Sequence, residues 1–252
     1  WGDVQAVVVG AGPSGLMAAE RLAQRGYRVH LADAMPSVGR KFLLAGKGGL
    51  NLTHSEPKPD FLARYGASEA HWHRLMREFD ADALRAWAQD LGVETFVGTS
   101  GRVFPRDMKA APLLRAWLQR LKALGVQFHM RHRWQGWTPD GQLQFTSPQG
   151  LVQIAAPVTV LALGGASWSR LGSDAAWVPW LQARGVDVSP LQPSNCGFEV
   201  VSARGAQGET RRDFFKELLG GATPAAGWSP HFAERHAGQP FKSVALAFTD
   251  HQ

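Results

Sequence analysis

The sequence contains a single cysteine, Cys196, among its 252 residues. One thiol cannot form an internal disulfide or a cysteine-based metal cluster, so a disulfide-stapled secreted scaffold is excluded and we predict no metal site. Apolar runs long enough to cross a bilayer are also missing, since residues 158–163 are only as long as a strand. The basic and apolar pattern of a signal peptide is absent. These absences favour a cytoplasmic protein without a membrane partner.

Charge of one sign is not concentrated in any tract. The 27 Lys and Arg residues exceed the 21 Asp and Glu residues, and a net charge of +6 admits nucleic acid as a partner. The basic residues are scattered, however, and no tract combines them with aromatic residues as RNA-binding modules do. The pattern therefore disfavours a nucleic-acid partner, and an RNA-acting enzyme is kept as an alternative.

A glycine-rich turn lies between two predicted strands near the N-terminus. Residues 7–9 form a β-branched run typical of a buried parallel strand, and residues 16–24 have a helical pattern. Residues 28–31 predict a second strand. The order strand, turn, helix, strand is that of a dinucleotide-binding βαβ unit, so we predict an α/β, Rossmann-like fold.

The residues of this turn have separate predicted roles. Gly10 permits the turn, Gly12 lets the backbone approach a pyrophosphate, and Gly15 lets the helix pack closely on the strand. Pro13 and Ser14 open the helix, where free N–H groups and the positive end of the helix dipole attract a diphosphate. All five are predicted cofactor-binding residues.

Asp33 follows the second strand, about 20 residues after the turn, where a carboxylate can accept hydrogen bonds from ribose hydroxyls. Its neighbour Ala34 is included in the predicted site. The fingerprint itself does not choose between FAD and NAD, so an NAD-dependent dehydrogenase with a single Rossmann domain is an alternative at this point.

Two loops with glycine and cationic residues come next. The first contains Gly39, Arg40 and Lys41, a combination of close backbone and long donors that suits phosphate groups. The second, residues 45–54, is rich in glycine and small polar side chains and suggests a close approach to a ligand. From it we predict cofactor contacts at Gly46, Lys47, Gly48, Asn51 and Thr53.

These loops resemble those of the BaiN/YhiN-like flavoproteins, which include enzymes described as aminoacetone oxidases. The shared features are Gly-Arg-Lys, a glycine-rich segment ending in Asn-x-Thr, and Gly-Arg-Val-Phe-Pro at residues 101–105. The resemblance implies an FAD-binding domain of glutathione-reductase type in a three-layer ββα arrangement. It also implies FAD as cofactor, NAD(P)H as a candidate electron donor, and hydride transfer to or from a small organic substrate.

The sequence departs from the family at Gly49 and Leu50, where many members have Arg and Cys, so a role resting on those two residues does not carry over. In the related architecture a later strand contacts the adenine, which would place that contact near Arg133 or Trp134. The strand at residues 157–163 resembles the Ala-Thr-Gly-Gly segment of the family and would bring the chain near the FAD phosphates. The residues predicted there are Gly164, Gly165 and Ala166.

The domain boundaries follow from a change in amino-acid composition near residue 190, where Gly and Pro become frequent, and from the resemblance. We predict the FAD-binding domain over residues 1–190, with a β-meander at about residues 126–156. Residues 191–252 are predicted as the start of an inserted β-rich substrate domain. The family continues well beyond residue 252, so we expect this chain to be truncated at its C-terminus, and a non-catalytic FAD-binding fragment is a further alternative.

The sequence assigns no catalytic residue and no oligomeric state. Ser167 has no His or acidic neighbour in sequence that would make it a nucleophile. Residues 67–92 predict one helix, and its apolar stripe is interpreted as core: Leu75, Phe79, Leu84, Trp87 and Leu91.

Overall fold

The computed structural model describes residues 1–45 and 48–191, together with Arg235. Trp1–Leu191 form one compact unit. The predicted inserted domain, residues 191–252, lies outside the described residues except for Leu191 and Arg235, and it stays a prediction.

The described residues contain ten strands and seven α-helices. In chain order the strands are β1 (Ala6–Val9), β2 (Val29–Asp33), β3 (Thr53–His54), β4 (Thr95–Val97), β5 (Arg102–Pro105), β6 (Gln127–Met130), β7 (Arg133–Trp137), β8 (Leu143–Ser147), β9 (Gly150–Ile154) and β10 (Val158–Leu161). The helices are α1 (Pro13–Gln24), α2 (Arg40–Ala45), α3 (Lys58–Ala63), α4 (Glu69–Glu78), α5 (Ala81–Asp90), α6 (Ala110–Ala123) and α7 (Val178–Gln182).

A four-stranded parallel sheet forms the centre, in the order β10-β1-β2-β6. Val8 pairs with Leu31 on one side and with Val160 on the other. All four residues of β1 are buried, as its β-branched composition predicts for a central parallel strand. The strand, helix, strand order of the Rossmann-like prediction is therefore confirmed.

The two faces of this sheet are covered by different layers. On one face Val8 and Leu31 pack with Leu16 of α1 and Leu113 of α6. On the other face Val7 packs against the antiparallel sheet β7-β8-β9. Helices, parallel sheet and antiparallel sheet make the predicted three-layer ββα arrangement.

Two predicted elements need correction. The meander starts at Arg133 rather than near residue 126, because β6 pairs with β2 as the edge of the parallel sheet. The single helix predicted over residues 67–92 divides into α4 and α5. The cause is Asp80, whose carboxylate accepts a hydrogen bond from the Ala83 amide at 3.0 Å and caps α5.

A small antiparallel sheet in the order β3-β5-β4 was not predicted. It forms from residues of the second glycine-containing loop and of the Gly-Arg-Val-Phe-Pro segment, with Thr53 opposite Val103. Among the described helices, none combines the length and the apolar character required to span a membrane.

Candidate functional site

Two of the three fingerprint glycines are required by the fold. Gly10 has a φ of +105°, and a Cβ there would lie 2.3 Å from the Ala162 carbonyl oxygen. A Cβ on Gly15 would lie 1.7 Å from the Gly10 carbonyl oxygen. Both distances are far below van der Waals contact, so the turn connects β1, α1 and β10 only with glycine at these positions.

Gly12 differs from its two neighbours in the motif. A Cβ there would meet nothing within 4 Å, and its φ of −80° is open to any residue. Gly12 is also the N-cap of α1, and no side chain caps this helix. The helix therefore presents its positive end to open space beside a glycine that the fold does not need.

That open space is a cleft of about 680 Å³. It lies at the carboxyl ends of β1 and β2, where ligands bind in open α/β sheets, and its volume is typical of small-molecule sites. The predicted site residues that line it are Gly10, Gly12, Pro13, Ser14, Asp33, Ala34, Gly39, Arg40, Lys41, Asn51, Trp134 and Gly164.

Among the described residues, the other predicted site residues do not line the cleft. Gly15 lies against the turn itself, and Thr53 belongs to the small antiparallel sheet. The remaining described ones are Gly48, Gly165 and Ala166. Gly46 and Lys47 lie outside the described residues.

Asp33 holds the turn together from the end of β2. Its two carboxylate oxygens accept hydrogen bonds from the Ala11 amide at 2.6 Å and from the Met35 amide at 2.7 Å. Burial raises the pKa of Asp33, and the two amides and the charges of Arg133 and Arg40 oppose that rise. The carboxylate is thus both a structural element of the turn and part of the cleft lining.

Three cations line the cleft. The guanidinium of Arg40 is exposed and lies 3.4 Å from the Ser37 hydroxyl, while Arg133 pairs with Asp174 at 3.2 Å. Lys41 donates a hydrogen bond to the hydroxyl of Ser167. The positive charge and the helix end together favour an anionic ligand.

Sequence reasoning missed a large apolar part of the lining. This apolar part comes from α2, from α6 and from the region of α5, and we call it the aromatic lobe. Its members are Phe42, Phe79, Leu84, Trp87 and Trp117. The helical spacing of Phe79, Leu84 and Trp87 predicts core residues, and all five residues of the lobe do belong to or pack against the helix-side core. A stripe of this kind carries no signal that distinguishes a cavity wall from a packed interior.

A buried carboxylate fixes two of these rings. Oε2 of Glu20 accepts hydrogen bonds from Nε1 of Trp87 at 3.2 Å and from Nε1 of Trp117 at 2.6 Å. Its Oε1 pairs with Arg120 at 3.1 Å, and Glu20 is only 1% exposed. Since Glu20 is not among the lining residues, the indole N–H groups point away from the cleft.

Two buried polar atoms of the lining have no hydrogen-bond partner within the described protein. They are Nε1 of Trp134 and Oγ of Ser173. Buried polar groups are normally paired, so these two atoms are exceptions, and both belong to residues that line the cleft.

A histidine group lies beside the cleft, between the parallel sheet and the meander. Nδ1 of His30 lies 2.9 Å from Nε2 of His129, and the ring of Trp1 stacks on His129. Burial, together with the nearby His30 and His132, lowers the pKa of His129 to about 4. Among the described residues no group of acidic, histidine or cysteine side chains is arranged to hold a metal ion.

Comparison with known proteins identifies the family. A family model described as "HI0933-like protein Rossmann domain" matches residues 4–229. The chain belongs to the HI0933-like family. The HI0933-like chain is similar in fold to 3-ketosteroid-delta4-(5alpha)-dehydrogenase of Rhodococcus jostii RHA1. The two superpose with a TM-score of 0.56 at 17% identity, over 73% of this chain and 55% of that one.

Two curated relatives are similar to parts of the HI0933-like chain. Thiamine thiazole synthase of Methanococcus maripaludis is 41% identical over 91 residues, which are 36% of this chain and 34% of that protein. The tRNA 5-methylaminomethyl-2-thiouridine biosynthesis bifunctional protein MnmC of Cupriavidus metallidurans is 34% identical over 87 residues, 34% of this chain and 11% of that protein. The chain thus spans about a third of the length of the thiamine thiazole synthase and about a tenth of the length of MnmC.

Proposed function

We propose that this HI0933-like chain binds FAD in the cleft and belongs to an FAD-dependent oxidoreductase of the BaiN/YhiN-like type. The observation that carries the proposal is that the three fingerprint glycines have different roles. Gly10 and Gly15 are needed by the fold, whereas Gly12 faces open cleft at an uncapped helix end. A glycine that packing does not need is best explained by a ligand that approaches the backbone.

The cleft residues fit the parts of FAD. Gly12 and Ser14 at the start of α1 would hold the diphosphate, with Arg40 as a cationic neighbour. Asp33 would meet the ribose with the lone pairs that its two backbone hydrogen bonds leave free. Trp134, with its unpaired indole N–H, would lie at the adenine. Each of these roles is part of the proposal.

When bound, FAD supplies the hydride-transfer chemistry, between a small organic substrate or NAD(P)H and the flavin. The chain contributes binding and orientation through the turn, the cations and Asp33. Its aromatic lobe excludes water from part of the cleft. No described side chain is assigned as a catalytic acid or base.

Gly12→Val tests the cofactor site without a large demand on the fold. The side chain has room and an ordinary φ, so we expect a stable protein that retains less than about a tenth of the wild-type FAD, because the valine blocks the approach of the diphosphate. FAD is measured by the absorption of the purified protein and by identification of the ligand released on denaturation.

Gly2→Val is the matched control, since a Cβ at Gly2 also meets nothing within 4 Å. It should retain FAD like the wild type. A wild-type protein that releases NAD, or that FAD cannot reconstitute, would contradict the cofactor assignment. Equal FAD in Gly12→Val and wild type would contradict the proposed position of the diphosphate. Bleaching of the flavin by NADH or NADPH would support a nicotinamide donor.

The similarity to MnmC, whose name concerns tRNA, keeps an RNA-acting flavoprotein as the second candidate. The distribution of charge argues against it. Arg28, Arg64 and Arg106 each form an ion pair with a carboxylate, so these three side chains do not present unpaired positive charge to a polyanion. An RNA-binding protein would show tRNA affinity that falls steeply with salt, and a filter-binding assay at two salt concentrations distinguishes the candidates.

A further inference from the structure

The cleft contains two chemically different regions. Around the fingerprint turn it presents backbone amides, Asp33 and cations, which suit an anionic dinucleotide. The aromatic lobe, in contrast, consists of Phe42, Phe79, Leu84, Trp87 and Trp117 and has no charged member. A ligand that is polar along its whole length would not need an apolar region in its site.

The rings of the lobe present only carbon to the cleft. Both indole N–H groups donate to Glu20, which lies outside the lining, so neither can contact a ligand. The Trp87 and Trp117 rings meet edge to face, with centroids 4.7 Å apart at 78°, and Phe42 meets Trp117 at 6.5 Å and 69°. This geometry is typical of favourable aromatic contacts. Trp87 and Trp117 are 9% and 2% exposed, so the surface that the lobe offers to a ligand comes mainly from the half-buried Phe42, Phe79 and Leu84.

The lobe is also held in place before any ligand binds. Glu20 is paired with Arg120, and Arg120 in turn contacts Asp90 at 2.8 Å, which connects α1, α5 and α6. Preorganised rings lower the entropy cost of binding. Because Glu20 fixes the two tryptophan side chains, they cannot easily move to fill the neighbouring space, as side chains around an ordinary gap in a core can.

We propose that the aromatic lobe binds a neutral, planar, apolar group of the substrate, next to the dinucleotide. A charged group would lose its hydration there without a counter-charge, whereas a flat hydrocarbon group gains apolar burial and ring contacts. The inference rests on the proposed function only in assigning the neighbouring region to the cofactor. It excludes small anionic substrates from this part of the cleft.

The test uses 2-naphthol as a neutral planar probe and 2-naphthoate as its charged counterpart, titrated calorimetrically into the purified chain supplied with FAD. We expect 2-naphthol to bind at least about tenfold more tightly than 2-naphthoate. Leu84→Gln, which makes the half-buried lobe residue polar, should weaken 2-naphthol binding about tenfold and leave the FAD content unchanged. Leu75→Gln is the control, because Leu75 is 43% exposed and outside the lining.

A second variant protects the test against poor folding of the first. Leu84→Phe enlarges the side chain in the lobe without adding a polar atom, and it too should reduce 2-naphthol binding while FAD is retained. Loss of FAD together with 2-naphthol, or displacement of FAD by 2-naphthol, would show that the lobe holds the cofactor and would overturn the inference. Unchanged 2-naphthol binding in both variants would also overturn it. A wild-type chain that binds 2-naphthol through Leu84 but never binds FAD would refute the proposed function and support the lobe.

Discussion

At the scale of single residues, glycines of the same motif have different physical roles. A methyl group on Gly15 would overlap the Gly10 carbonyl, but a methyl group on Gly12 would enter the cleft. Substitutions at the two positions should therefore fail in different ways, the first by unfolding and the second by loss of ligand. The motif identifies all three glycines, and only the packing separates their roles.

Removal of Glu20 should strongly lower the stability of the fold. Glu20→Ala leaves the Trp87 and Trp117 N–H groups and part of Arg120 unpaired in a buried place, so we expect a loss of about 3 kcal/mol or more in the free energy of unfolding. Urea denaturation measures it. Glu94→Ala removes an exposed pair with Arg106 and should cost less than about 1 kcal/mol. Equal losses in the two variants would contradict the role of Glu20.

At the scale of elements, the boundary between α4 and α5 shows how one polar residue reshapes a predicted helix. Hydrophobic spacing across residues 67–92 suits a continuous helix, yet Asp80 accepts the Ala83 amide and contacts Lys58 at 3.1 Å. The two hydrogen bonds lower the pKa of Asp80, the amide contributing more. The cap sets the start of the helix that carries Leu84 and Trp87 into the aromatic lobe.

Asp80→Ala should destabilise the protein by about 1 kcal/mol, because the Ala83 amide in the first turn of α5 loses its acceptor. Asp80→Ser keeps a capping oxygen, so it should lower the free energy of unfolding by only about a few tenths of a kcal/mol. Thermal unfolding followed by circular dichroism compares the two. Asp82→Ala, in the same first turn but not at the cap, is the control, and a loss at Asp82 as large as that at Asp80 would argue against capping.

At the scale of the whole molecule, the layer between the parallel sheet and the meander contains titratable rings. His30 is 1% exposed, and burial lowers its pKa as it does that of His129. Both rings are therefore held neutral in the folded state at a pH where an unfolded chain would bind protons. This arrangement makes the stability of the fold dependent on pH.

Stability should fall as the pH drops from about 6.5 towards 4, the interval between the ordinary pKa of histidine and that of His129 in the fold. The unfolded state binds more protons in this interval, so acid favours it, and the effect of His129 is on the order of 1–2 kcal/mol at pH 5. Urea unfolding at pH 7 and pH 5 measures the difference. His129→Gln should reduce it and the exposed His73→Gln should not; an unchanged difference in His129→Gln would assign the acid sensitivity elsewhere.

The βαβ unit, the buried parallel strands and most of the lining around the fingerprint turn could be predicted from the sequence alone. Each depends on residues close together in the chain: β-branched runs, glycines at fixed spacing, and an acid at the end of the next strand. The resemblance to a flavoprotein family depends on the same local signals. The family match over residues 4–229 shows the HI0933-like family, and the narrower BaiN/YhiN-like assignment stays a prediction.

Only the tertiary structure decided which sheet β6 joins and which aromatic residues face a cavity. The partner of β6 is β2, almost a hundred positions away in the chain, and its own sequence reads equally well as a meander strand. Phe42, Trp87 and Trp117 come from three separate helices. An apolar helix face has the same periodicity whether it packs against a core or lines a cleft, so the sequence determines that these faces are buried, and the packing of the helices determines what they meet.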